Sequence, residues 1–210
     1  MIAMQRRHFN QVLFASAALG TLPATAVELK EGANYRRLPK ALPVNVNPGQ
    51  IEVLEFFAYS CIHCFHFEEP FHQWIGQQDA SIVVKRVPVL FSAQFVPMAK
   101  LYYSLEGLDW LKTLHTKVFR AIHLDKQKLF TDEAILAWMR QQGVDMQAFE
   151  NMYRSFGING KVKRGAQLST EYEVEGTPAL GIHGRFAVPG QGEKTLTIAD
   201  ALIKDLRSKA

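Results

Sequence analysis

Cys61 and Cys64 are the only cysteines of this 210-residue chain, and two residues separate them. A bridge between them would close so small a loop that it would remove little entropy from the unfolded chain, so the pair is a poor structural staple. The spacing suits reversible chemistry, in which one thiolate attacks a disulfide and the second thiol resolves the mixed disulfide. The same segment offers a competing chemistry. His63, His66 and His72 lie nearby, and two cysteines at this spacing are half of many zinc sites. Against it, the chain has no second cysteine pair, and His63 and His66 leave a helix in directions that need not converge with both sulfurs. No metal ligand is therefore assigned.

The elements flanking the pair decide how reactive it is. Residues 51–57, Ile-Glu-Val-Leu-Glu-Phe-Phe, are short and apolar on both alternating faces apart from two acids, as in a buried strand. The strand delivers Ala58, Tyr59 and Ser60, and then the cysteines. From Cys61 onward Phe65, Phe67, Phe71, Trp74 and Ile75 have helical spacing, with Glu68 and Glu69 expected near the start and Pro70 expected to kink the helix. A thiol on the first turn of a helix faces unpaired N–H groups and the positive dipole end, which lowers its pKa from about 8.5. Cys61 takes that position. Cys64, one turn further in, is placed to face the body of the protein, and His63 between them could stabilise the thiolate further. A stabilised reduced form makes the disulfide a strong oxidant.

The rest of the chain frames this junction. Pro39, Pro43 and Pro48 mark an extended arm before the first strand. A second buried strand spans 82–87 and ends at Pro88. Helical patterns follow over 99–106, 110–122, 131–141 and 145–156, with Thr131 and Asp132 as a cap, and this reads as an all-helical insert. One more helix over 162–174 is broken by Gly176, Thr177 and Pro178. Residues 179–182 and 185–188, joined at His183 and Gly184, predict a hairpin, and 197–207 a closing amphipathic helix. The order predicts an α/β fold whose sheet is interrupted by helices. Length and composition, 48% hydrophobic and 21% charged, fit one globular domain or one with a large insertion, and no repeat or low-complexity tract is present.

The first residues read as a leader. Arg6 and Arg7 precede an apolar run over 12–22 that is too short to cross a bilayer, and Ala24, Thr25 and Ala26 supply a cleavage site, so 1–26 is expected to be a cleaved signal peptide. Gln5 to Phe9 also resembles a twin-arginine export signal. Removing the leader takes away two arginines and no acid, so the formal charge falls from +4 to +2, which gives no footprint for nucleic acid. No glycine-rich phosphate cradle is present, so nucleotide cofactors are not expected. An inert buried cysteine pair is a poor fit to an exported chain, where such thiols are hard to keep reduced.

Residues 54–68, Leu-Glu-Phe-Phe-Ala-Tyr-Ser-Cys-Ile-His-Cys-Phe-His-Phe-Glu, resemble the active-site segment of the DsbA-like thiol–disulfide oxidoreductases of the bacterial periplasm, and Gly176-Thr177-Pro178-Ala179 resembles their cis-proline loop. The resemblance covers nearly the whole mature chain. It implies a thioredoxin-like fold with an inserted all-helical domain, here 27–95 and 166–210 for the thioredoxin-like part and 96–165 for the insert. It implies that Cys61 is the exposed nucleophile and Cys64 the buried thiol, that a cis peptide precedes Pro178, and that the Thr177 backbone pairs with a bound substrate chain. The redox group would be the Cys61–Cys64 disulfide, with no added cofactor. Partners would be reduced, unfolded exported proteins and a membrane reoxidase of the DsbB type, with the chain itself a periplasmic monomer. Two positions depart from the family pattern: Ile62 stands where proline is commonest, and Thr177 stands where valine is frequent, a threonine that also occurs at this place in isomerases and reductases of related fold. A reductase or isomerase using the same cysteines, an oxidase dedicated to one client, and a non-enzymatic Cys/His metal-binding protein stay open as alternatives.

Glu55, six residues before Cys61, is expected beneath the site, where it could relay the proton of Cys64 or form a structural ion pair, with Lys85 as its counter-charge. Tyr102, Tyr103, Trp110, Phe119, Trp138, Phe149 and Phe156 read as the core of the insert, and Lys161, Lys163 and Arg164 as a solvated helix face. His115, His123 and His183 are assigned no partner.

Overall fold

Strand β2 (Ile51–Phe57) is buried at every position because it runs inside the sheet, parallel to β3 (Ile82–Pro88) on one side and antiparallel to β4 (Ala179–Ile182) on the other. The computed structural model describes residues 29–209, so the expected leader lies outside the described residues. Strand β5 (Phe186–Pro189) pairs with β4, and the two-residue β1 (Arg36–Arg37) pairs with β5, which gives a mixed sheet in the order β1-β5-β4-β2-β3. This short edge strand, which sequence reading did not anticipate, comes just before the extended arm marked by Pro39, Pro43 and Pro48. Arg36 ties it down by donating to the carbonyls of Tyr172 and Glu173 at 3.1 and 3.0 Å.

Helix α1 (Ile62–Gly76) follows β2 and runs on through Pro70. The acids expected at its start fall in the second turn, so they do not cap it, and Glu68 is buried. Between β3 and β4 the chain forms α2 (Val96–Gly107), α3 (Leu111–His123), α4 (Asp132–Arg140), α5 (Met146–Tyr153) and α6 (Phe156–Glu171), and α7 (Lys194–Arg207) closes the fold. Thr131, Asp145 and Ser155 cap α4, α5 and α6, each accepting from a backbone N–H of the first turn. The cap at Ser155 splits what sequence periodicity joins into a helix up to 156. It also leaves Phe156 91% exposed, so that residue is not part of the core. Helix α6 is unbroken through Gly165, where the two expected regions were divided.

Side-chain alternation along β2 distributes the core. Ile51 and Val53 pack with Phe67 and Phe71 of α1 and Ile198 of α7, whereas Phe57 joins Tyr59, Cys64 and the helices α2 to α6 in a second cluster. Glu55 shares this face and stands where the two clusters meet. Leu54 and Phe56, on the opposite face, pack with Val87 and Tyr172. Tyr172 lies so close over Gly181 that a Cβ there would come within 2.5 Å of its ring, and its hydroxyl accepts from the Gly184 N–H at 3.0 Å. Gly184 has φ +64° and abuts the Leu42 carbonyl, so the hairpin turn needs a residue without a side chain.

Candidate functional site: a dithiol at a helix N-terminus

Cys61 is the N-cap of α1. Its backbone is extended, and its Sγ accepts from the Cys64 N–H at 3.4 Å, so the sulfur occupies the place a serine or aspartate oxygen fills in an ordinary cap. On the other side the Thr177 carbonyl lies 3.3 Å from Sγ, accepting from the thiol, and the Thr177–Pro178 peptide is cis. Helix and loop therefore hold the sulfur between them while leaving it half-buried.

The two thiols differ in charge preference. Hydrogen bonding from Cys64 lowers the Cys61 pKa to about 5 against the opposing effect of burial, and the Thr177 side chain and the N–H groups of Cys64 and His63 add to the lowering. Cys64 is fully buried; its thiol is pushed far up by burial, and by donating to Cys61. One sulfur is a ready thiolate and the other is a proton-holding reserve. That asymmetry suits a nucleophile and leaving group at the surface with a resolving thiol behind it. His63 contributes its N–H, and its side chain is exposed and lines a groove of about 670 Å³ together with His66, Thr177 and Pro178. Among the described residues no three His, Cys, Asp or Glu side chains converge as a metal site.

Beneath α1 lies a buried polar group. Glu55 does not pair with Lys85. In the parallel register Glu55 stands opposite Arg86, whose Nε donates to its Oε2 at 2.6 Å, while Lys85 projects to the other face and binds Glu52 at 2.7 Å. Arg86 Nη2 also donates to both oxygens of Glu68 at 3.0 and 3.1 Å. Burial raises Glu55 to about 7 despite Arg86. For Glu68 burial pulls upward too, but the hydrogen bond from His115, with the Arg86 guanidinium beside it, holds it below its ordinary value.

Three histidines left without partners by sequence reasoning have them here. His115 bonds Tyr59 Oη at 2.7 Å and Glu68 at 3.3 Å; His123 Nε2 donates to the Tyr59 carbonyl at 2.8 Å and its ring stacks on Phe65; His183 Nδ1 accepts from the Glu52 N–H at 3.3 Å. For His115 a partial signal exists, since it shares the apolar face of α3 with Leu114, Val118 and Phe119. Glu68 also had one, standing one turn from Cys64 on the same helix face.

Fold and site together define a thioredoxin-like thiol–disulfide oxidoreductase. The family model described as the DSBA-like thioredoxin domain matches residues 85–200. The thiol:disulfide interchange protein DsbA of Bordetella parapertussis is 38% identical over 184 residues, spanning 87% of each chain. The crystal structure of Pseudomonas aeruginosa DsbA superposes with a TM-score of 0.79 at 33% identity over 84% of this chain and 93% of that one, and that of Xylella fastidiosa DsbA with 0.79 at 26% identity over 86% and 98%. The chain belongs to the DsbA-like thioredoxin-domain family.

Proposed function

We propose that the chain donates its Cys61–Cys64 disulfide to reduced proteins exported with it, and that Cys61, Cys64, His63, Thr177, Pro178 and Glu55 carry the reaction. The observation that carries this reading is the split between an acidic, half-buried Cys61 and a sealed, protonated Cys64. A client thiolate attacks Cys61 Sγ; the client–Cys61 bond forms, the Cys61–Cys64 bond breaks, and the electron pair leaves on Cys64, which takes up a proton. The client's second thiolate then attacks the client sulfur of the mixed disulfide and expels Cys61 as a thiolate, a good leaving group because its pKa is low. Two electrons pass to the chain, and the client gains a disulfide. No cofactor is called for, since the cysteine pair is the redox group.

In this reading the groove between His63 and the Thr177–Pro178 loop seats the client, with the Thr177 backbone pairing to it. Glu55 serves the proton traffic of Cys64, and a DsbB-type membrane protein reoxidises the pair. Residues 1–26 direct export to the periplasm and are cleaved, 27–95 with 166–210 form the thioredoxin-like part and 96–165 the insert, and the chain acts as a monomer. No helix among the described residues is long and apolar enough to cross a membrane.

Equilibration of the couple against glutathione buffers is the deciding experiment. A potential near about −120 mV supports donation, whereas one near about −270 mV, as in thioredoxin, overturns it in favour of a reductase or isomerase. Thr177 is the feature that would favour the latter, because its side chain lies close enough to lower the pKa of both sulfurs.

A further inference from the structure

His115 belongs to α3, yet its side chain is buried against the active-site turn, with the rings of Phe57, Tyr59, Tyr102 and Phe119 between 5.2 and 5.8 Å away. An imidazole in such a cage is costly unless both nitrogens are bonded. Both are, at 2.7 Å to Tyr59 Oη and 3.3 Å to Glu68 Oε2. An ionised carboxylate can only accept, so Nε2 carries the proton and Nδ1 accepts from the Tyr59 hydroxyl. Burial keeps the phenol protonated and disfavours the imidazolium, so the ring is neutral and its tautomer is set by its partners.

The charges around this ring are unequal in number. Glu68 from α1 faces it directly, Arg86 from β3 and Glu55 from β2 lie beyond Glu68, His72 acts on Glu68 from α1, and Tyr59 and Tyr102 are the titratable neighbours from the turn and from α2. Two buried carboxylates share one guanidinium, which leaves a place for one further proton on the pair. Glu68 accepts from Arg86 and His115, whereas Glu55 accepts from Arg86 alone.

We propose that His115 is a positioning residue for the thiol–disulfide exchange: its two ring nitrogens fix the Tyr59 turn that leads to Cys61 and hold the ionised carboxylate at Glu68, so that the buried proton resides on Glu55. Glu68 stands four residues after Cys64, one turn away on the same face of α1, so a fixed negative charge there opposes a thiolate on Cys64 and leaves the anion to Cys61. The helical block thereby enforces which of the two thiols is charged. This rests on the exchange reading above, but its test does not depend on the direction of electron flow.

The test is a carboxyl 13C NMR titration of the full chain labelled at glutamate, with Glu55→Gln and Glu68→Gln for assignment, alongside the pH profile of thiolate absorbance. In the unsubstituted chain Glu55 is expected to titrate near neutrality while Glu68 stays ionised. In His115→Leu the proton affinity of Glu68 should rise at least about tenfold and the Cys61 thiolate midpoint should fall. His115→Gln, whose amide can donate to Glu68 and accept from Tyr59, should restore both. The proposal is overturned if His115→Leu only lowers the melting temperature and leaves both titrations in place. It is also overturned, with no variant needed, if Glu68 is the group that titrates near neutrality in the unsubstituted chain. A thioredoxin-like potential with these titrations as expected would remove the oxidase reading and leave the role of His115 standing.

Discussion

The two sides of the first turns of α1 handle charge in opposite ways. On the outer side Cys61 carries an anion that the Cys64 thiol, the Thr177 side chain and backbone N–H groups stabilise next to solvent, and it needs no cation. On the inner side Glu55, Glu68, Arg86 and His115 are packed between two apolar clusters, where every charge must find a partner. Among the described residues no fully buried side-chain polar atom lacks one. Reactivity is held where solvent and helix dipole can soften it, and the charges that shape it are held where nothing can drift.

The comparison breaks most severely at the cysteines. Cys61→Ser should abolish exchange, whereas Cys64→Ser, which cannot form the internal disulfide, should accumulate mixed disulfides on non-reducing gels when its Cys61 thiolate attacks a client disulfide and no second thiol is present to release it; a metal-binding role predicts no such trapping. On the inner side Arg86→Leu strips the guanidinium from two buried carboxylates and should cost about 3–5 kcal/mol in urea unfolding. Lys85→Met should cost less, about 1–3 kcal/mol, since Lys85 itself is about a third exposed although the Glu52 carboxylate it leaves behind is buried.

A pH series sharpens the contrast further. Because the Cys61 pKa is depressed in the folded protein, the stability that ionisation lends the reduced form is complete above the ordinary thiol pKa and is lost as pH falls through about 5. Glu55 has the opposite sign: raised to about 7, its contribution is complete below the ordinary carboxylate pKa and is lost as pH rises through about 7. Calorimetry of the reduced chain across pH 4 to 9 should separate the two, and Glu55→Gln should remove only the second. The smallest effect is expected at Thr177→Val, which should raise the thiolate midpoint while changing stability by less than about 0.5 kcal/mol.

Much of this was legible in the residues themselves. Strand β2 could be bounded from its run of seven apolar and acidic residues, and the N-cap place of Cys61 followed from the strand-to-helix switch. The counter-charge of Glu55 was not legible. Lys85 and Arg86 are adjacent, so alternation sends them to opposite faces, and only the register with β2 decides which one meets Glu55. His115 was legible as a buried face of α3 but not as a partner of Tyr59 and Glu68, which lie 56 and 47 residues away along the chain. Phe156 misled because its hydrophobicity suggested core, while Ser155 starts a new helix and turns the ring outward.

The seating of Tyr172 on Gly181 reaches further than local packing. With its ring against β4 and its hydroxyl on Gly184, Tyr172 nails the exit of α6 to the sheet just before the segment from Glu173 to Pro178, and Ala179 re-enters the sheet immediately after it. That short span is anchored at both ends like a plucked string held at bridge and nut. The place of the Thr177 carbonyl beside Cys61 is thereby set jointly by the end of α6 and the start of β4.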